Sequence, residues 1–232
     1  MANETRVLSL GGSIVAPDRV DIEYLRSLRA LLARYLAGSS ERRLIIVVGG
    51  GGPARDYQRA YREIVEAPDT VVEDWIGVAA TRLNGQLVHG MLAQWCREGL
   101  IIDPTAVSGF EGRVLVAAGW KPGFSTDFDA VLLAQRFGAD TVVNLSNISH
   151  VYSGDPKKDP SARAMETIGW DDFRSLVGER WTPGRNVPFD PVATARAAEI
   201  GLAVIVAAGK DLPNLEAILE GRVFRGTRIG PG

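Results

Sequence analysis

A short apolar run that ends in glycine and passes into a helical period recurs along this chain, and that unit limits the folds open to it. Val7-Leu8-Ser9-Leu10 leads into Gly11-Gly12-Ser13, and residues 20–36 then carry Ile22, Leu25, Leu28, Leu31, Leu32 and Leu36 at helical spacing. Leu44-Ile45-Ile46-Val47-Val48 leads into Gly49-Gly50-Gly51-Gly52 and the helix-like Ala54-Arg55-Asp56-Tyr57-Gln58-Arg59. Val114-Leu115-Val116-Ala117-Ala118 leads into Gly119-Trp120-Lys121-Pro122-Gly123-Phe124-Ser125-Thr126-Asp127, followed by a helical run over 129–137. Strand, glycine turn and helix in alternation describe an α/β chain.

A buried strand that turns through glycines into a helix leaves bare backbone N–H groups at a positive helix end, a place suited to phosphate. Arg55 lies about one turn inside the second such helix and can close on the same anion through its planar fork of donors. In the third loop the Ser125 and Thr126 hydroxyls can donate to phosphate oxygens, and Asp127 can orient a metal or a cation. The same Ser-Thr-Asp cluster equally suits a helix N-cap.

At 232 residues and 46% hydrophobic content, one α/β domain spanning 1–232 is expected. No window is apolar for long enough to span a bilayer, and Met1-Ala2-Asn3-Glu4-Thr5-Arg6 lacks the apolar core of a signal peptide, so a cytoplasmic location and no membrane partner are expected. The single cysteine, Cys96, excludes an internal disulfide and falls in the helix-like stretch 83–97, where a small buried side chain is its expected role. A net charge of -2 gives no general attraction for nucleic acid.

Lysine occurs only at Lys121, Lys157, Lys158 and Lys210, against many arginines. The first three fall in glycine- or proline-rich loops, where a compact ammonium acts as a point charge on phosphate. Lys157-Lys158 stands between Asp155-Pro156 and Asp159-Pro160, after a strand over 140–145 and the loop Ser146-Asn147-Ile148-Ser149-His150. Two Asp-Pro steps predict an exposed, stiffened loop, with the Tyr152 ring available to a nucleobase and the lysines to a polyphosphate. A solvated turn accounts for the lysine pair equally well.

In this order the segments resemble the amino acid kinase superfamily and, within it, the archaeal-type uridylate (UMP) kinases. The stretches that carry the resemblance are Leu10-Gly11-Gly12-Ser13, residues 47–57 (VVGGGGPARDY), 74–84 (DWIGVAATRLN), 122–127 (PGFSTD), 151–161 (VYSGDPKKDPS) and Phe189-Asp190-Pro191 before a helix. The resemblance implies a mainly parallel central sheet sandwiched by helices, with an N-terminal half for the acceptor UMP and a C-terminal half for ATP. It implies transfer of phosphate from ATP, with Mg2+, to UMP, and a homo-oligomer, a hexamer assembled from dimers through helices of the N-terminal half. The apolar stretch 71–92 suits such a contact, or an internal core helix.

Carried over by position, the resemblance places Gly50, Arg55, Asp74 and the loop Trp120, Lys121, Pro122, Gly123, Phe124, Ser125 and Thr126 around UMP. It places Gly12, Ser13, Gly51, Arg55, Ser146, Asn147, Tyr152, Asp155, Lys157 and Lys158 around ATP. Asp74 would accept from ribose hydroxyls, although an acid at a helix head also favours the dipole. Asp127 would organise the catalytic centre, and no residue is assigned as a metal ligand; because Ser9 cannot supply the cation a transferring phosphoryl needs, the placement of the few lysines makes Lys121 the expected catalytic cation.

The chain departs from the pattern at three places. Ser9 stands where many members of the superfamily carry a lysine. Ser149-His150 replaces the usual Asp-Gly pair before Val-Tyr, removing a carboxylate and adding an imidazole. Trp120 and Phe124 are bulky for a loop around uracil. The expected activity is phosphorylation of UMP to UDP. The alternative is a nucleotide- or anion-binding homologue with weakened turnover.

Overall fold

The structure, a computed structural model, describes residues 4–154, 158–178 and 187–231. Its strands β1 (Thr5–Leu10), β2 (Arg43–Val48), β3 (Val114–Ala118), β4 (Thr141–Ser146) and β8 (Ala203–Ala208) pair in parallel in the order β3-β2-β1-β4-β8. The sheet continues through β9 (Thr227–Ile229), antiparallel to β8, to the short β7 (Thr167–Ile168). A separate hairpin joins β5 (Val151–Tyr152) to β6 (Ala164–Met165).

Both faces of the sheet are buried, so the parallel strands read as unbroken apolar runs whose alternate residues serve two cores. Leu8, Leu10, Ile46, Val48, Val116 and Leu145 pack on one face beneath α2 (Ile22–Ala37), α4 (Thr70–Met91) and α8 (Leu212–Leu219). Val7, Ile45, Val47, Leu115 and Val142 pack on the other beneath α5 (Thr126–Phe137), α6 (Trp170–Val177) and α7 (Pro191–Glu199). The result is the expected three-layer α/β sandwich.

Capping side chains set the helix boundaries. α2 starts two residues later than the period suggests because the Asp21 carboxylate accepts from Tyr24 N–H. α5 starts three residues earlier than expected, because Ser125 Oγ accepts from Phe128 N–H at 3.3 Å. α4 is headed by Asp69, whose Oδ1 accepts from Val71 N–H at 2.7 Å, so Asp74 lies in its second turn and does not cap it. α4 ends at Met91, and Cys96 lies beyond it, buried, with burial pushing its thiol up to about 11. The stretch 71–92 packs internally through Val78 and Val88, which are buried, and leaves Trp75, Leu83 and Leu87 exposed.

Parallel pairing places the C-terminal ends of β1 and β2 side by side, Leu10 opposite Val48, so their glycine turns meet. α1 (Gly12–Val15) and α3 (Gly51–Ile64) start from that contact. A Cβ on Gly12 would lie 2.0 Å from Gly51 N and 2.5 Å from the Gly50 carbonyl carbon, both backbone atoms. Gly51 has φ +68°, a left-handed conformation open to glycine. The two loops are packed backbone on backbone, and no side chain fits between them. Gly12→Ala should therefore destabilise the fold by about 3 kcal/mol or more, the upper range for overpacking, read as a fall in the urea midpoint.

Candidate active site

α3 starts inside the glycine run, at Gly51. Gly49 N–H donates to Leu10 O and Gly52 N–H to Ala16 O, which fixes the outer glycines to the first loop. Gly51 and Ala54, in the first turn of α3, line a cleft together with Gly50. The cleft encloses about 370 Å3. Arg55 and Gln58 of α3 extend the same wall.

α4 forms the floor, and its polar side chains hold the loops on both sides. Asn84 Nδ2 donates to the carbonyls of Gly49 and Gly50, each at 2.9 Å. Thr81 Oγ1 accepts from Gly119 N–H at 2.8 Å and donates to Val78 O. Arg82 donates to Gly119 O and, at 2.8 Å, to Trp120 O. Asp74 Oδ2 accepts from Gly123 N–H at 3.0 Å. One face of one helix thus satisfies the irregular backbone of the glycine run and of the loop 119–125.

The opposite wall is that loop: Lys121, Pro122, Phe124, Ser125 and Thr126 line the cleft. Trp120 stands behind them, with its ring 5.1 Å from Phe124 and the Lys121 ammonium 3.8 Å above the indole. The cleft therefore gathers Gly50, Gly51, Arg55, Asp74, Lys121, Pro122, Phe124, Ser125 and Thr126 of the sequence-derived set, and Trp120 and Gly123 belong to its supporting loop. Arg55 Nη2 donates to Pro17 O at 2.9 Å, tying α3 to the first loop. Asp74 spends one oxygen on the loop backbone.

The other sequence-derived residues lie outside this cleft. Gly12 is buried in the glycine contact and Ser13 sits beside it, half-buried. Gly11 N–H donates to Leu145 O, which brings the first glycine turn against the end of β4, where Ser146 and the exposed Asn147 follow. Ser146 Oγ accepts from Ile148 N–H. Beyond it Ser149 Oγ lies 3.1 Å from His150 Nδ1 and 3.4 Å from Tyr152 Oη, so the residues that replace Asp-Gly form a small polar cluster at the root of the hairpin. Lys158 is exposed; Asp155 and Lys157 lie outside the described residues.

Asp127 sits between the two halves of the sheet. Its Oδ1 accepts from Ser9 Oγ at 2.9 Å and its Oδ2 from Asp190 N–H at 3.3 Å, while Asp190 caps α7 through Ala193 N–H. Ser9 thus offers Asp127 a neutral donor. Burial pushes the Asp127 carboxyl up to about 6, with the neighbouring Asp190 charge adding to the shift and the Ser9 hydrogen bond opposing it. Asp190 also lies above its ordinary range through burial.

Four residues carry the site without having been assigned roles from the sequence. Asn84, Thr81 and Arg82 follow Asp74 at roughly helical spacing along α4. Asp129, in the first turn of α5, is fully buried; its Oδ2 accepts from Trp120 N–H at 3.1 Å and its Oδ1 has no hydrogen-bond partner. Burial, reinforced by the Asp127 and Asp103 charges, pushes it up to about 7.

Glycine turns paired at the C-terminal edge of a parallel sheet, with a helix head opening on a cleft, define an α/β protein built to hold an anionic ligand at its strand ends. Residues 4–208 match the model of the amino acid kinase family, and the chain belongs to that family. It is 38% identical to a uridylate kinase of Methanospirillum hungatei over 97% of this chain and 94% of that protein. It is 37% identical to a uridylate kinase of Thermoplasma volcanium over 95% of each chain. The crystal structure of uridylate kinase from Archaeoglobus fulgidus superposes with a TM-score of 0.81 at 31% identity, covering 97% of this chain and 99% of that one. No helix among the described residues is long and apolar enough to cross a membrane.

A carboxyl raised by burial binds its proton more tightly in the folded chain than in the unfolded one. Its stabilising contribution is full below the unfolded value of about 3.9 and is lost as pH rises through the folded value. For Asp129 that loss runs up through about 7. Asp129→Asn, which carries no charge, should therefore melt above wild type at pH 8, with the gap closing towards pH 4. Thermal unfolding across that range measures it.

Proposed function

We propose that the chain transfers the γ-phosphoryl group of ATP to the phosphate of UMP, giving UDP and ADP. The observation that carries this reading is the cleft itself: the glycine head of α3, Arg55 and Lys121 line one space together with Phe124 and Pro122. The relatives named above as uridylate kinases, matched almost end to end, support it.

In this reading the cleft takes UMP. The α3 donors, Arg55 and Lys121 hold its phosphate, Asp74 turns its remaining carboxylate oxygen to ribose hydroxyls, and the 119–126 loop packs on the base. ATP lies across the first glycine turn, with Gly12, Ser13 and Gly51 at the transferring phosphate, Ser146, Asn147 and Tyr152 alongside, and the hairpin lysines on the polyphosphate. Asp155 and Lys157 are part of that assignment by sequence position. The N-terminal half is then the acceptor side and the C-terminal half the ATP side.

An oxygen of the UMP phosphate attacks the γ-phosphorus in line; the new P–O bond forms as the bond to the ADP oxygen breaks, and no protein nucleophile is needed. The chain's part is alignment and neutralisation of the charge that spreads over the equatorial oxygens. Mg2+ is assigned to the ATP phosphates and enters as part of the substrate, with Asp127 near the reacting groups. The exposed Trp75, Leu83 and Leu87 edge of α4 is the assigned contact of a homo-oligomer.

A coupled assay of ADP release with each nucleoside monophosphate in turn tests the reaction. UMP with Mg2+ and ATP should give the highest kcat/KM, and no ADP above the ATP-only blank with any acceptor would refute the reading. Lys121→Ala should lower kcat by roughly 10²-fold at saturating UMP and ATP, the loss associated with one transition-state donor. An unchanged kcat would leave Arg55 and Mg2+ as the charge partners.

A further inference from the structure

Asp129 is a buried carboxylate that folding alone does not call for. It is 0% exposed, it accepts from a single backbone N–H, and its second oxygen is unpartnered. An apolar residue at this position of α5 would avoid the desolvation of a carboxyl group. Its one bond is to the peptide N–H of Trp120, and the carbonyl of Trp120 accepts from Arg82 Nη2 at 2.8 Å. Trp120 is thus gripped by its backbone on both sides, from α5 and from α4.

The indole held in this way carries the Lys121 ammonium 3.8 Å above its ring, with Phe124 5.3 Å from the same ammonium. Phe124 stacks in turn on Phe128 of α5 at 4.8 Å, the residue next to Asp129. A lysine in solvent samples many rotamers, and an aromatic face beneath its ammonium restricts it. Lys121 lines the cleft. The Trp120 side chain also meets Asp103, and the Asp129 and Arg82 bonds to its backbone set where that shelf sits relative to the cleft.

We propose that Asp129 is a positioning residue which, through Trp120, sets the Lys121 ammonium towards the phosphate of the nucleoside monophosphate. The proposal rests on the phosphotransfer reading above. Asp129 touches no substrate. Its effect on binding passes through Lys121 and is confined to the acceptor.

Calorimetric titration with UMP and, separately, with MgATP tests this on wild type, Asp129→Ala, Asp129→Asn, Lys121→Ala and the Asp129→Ala/Lys121→Ala double variant. Asp129→Ala should weaken UMP by about tenfold, the order of one desolvated cation contact, and leave MgATP unchanged. Asp129→Asn, whose amide oxygen accepts the same N–H, should stay within about twofold of wild type. In the double variant, UMP affinity should equal that of Lys121→Ala alone, because the two residues act in series. Additive losses in the double variant, equal weakening of UMP and MgATP, or an Asp129→Asn defect as large as that of alanine would each overturn the proposal. Wild type that binds UMP without turning over refutes the phosphotransfer reading, while the UMP affinities still decide the role of Asp129. Should Asp129→Ala fail to fold, Trp120→Leu, which keeps the N–H and removes the shelf, must show the same acceptor-only loss.

Discussion

The contact between Gly12 and the run Gly49 to Gly51 is the constraint on which the rest of the site depends. β1 and β2 are adjacent parallel strands with Leu10 opposite Val48, so the chain leaving each must turn within a few ångströms of the other. A Cβ on Gly49 would lie 2.5 Å from Gly12 N, and one on Gly12 would lie closer still to Gly51 N. Glycine on both sides lets the backbones touch, and this contact determines where α3 starts. The direction of its first N–H groups, and hence the position of the cleft, follows from it.

A contact made only of backbone is easily deformed, because glycine has more conformational freedom than any other residue. α4 supplies the missing rigidity. Asn84 holds two carbonyls of the glycine run, Thr81 and Arg82 hold Gly119 and Trp120, and Asp74 holds Gly123. These side chains recur at about helical spacing, so the separation of the two cleft walls is set by the pitch of a regular helix. Gly85 on the same helix allows close approach: a Cβ there would lie 3.0 Å from the Ala118 Cβ at the end of β3.

Much of this was legible in the sequence because it is local. Strand runs, glycine turns, the Ser125 cap and the Asp190-Pro191 helix start are written within a few residues of one another, and the glycine loops and the 119–126 loop emerged in their expected places. The parts that were not legible join distant segments. Ser9 meets Asp127 across 118 positions, and Arg82 meets Trp120 across 38. Ser9 is a small polar residue in a strand, and nothing nearby announces its partner. Asp129 was read as the start of α5; its burial depends on the Trp120 loop folding back over the first turn of that helix. The position of Asp74 was misjudged because Asp69, a better placed acid, heads the helix.

Charge in the centre follows from the same geometry. Asp127, Asp129 and Asp190 are crowded at the heads of α5 and α7, and burial raises all three carboxyls above their ordinary range. Ser9 donates to Asp127 and brings no positive charge, so the centre is not neutralised by an ion pair at the strand end. Two phosphate groups placed beside these carboxyls would raise them further, since like charges disfavour ionisation. In the proposed transfer the positive charge comes from the loop, where Lys121 rests on Trp120. A cation carried on a loop is only as well placed as the loop, which is why the bonds that pin Trp120 and Gly123 matter to the chemistry as much as the residues that face the substrate.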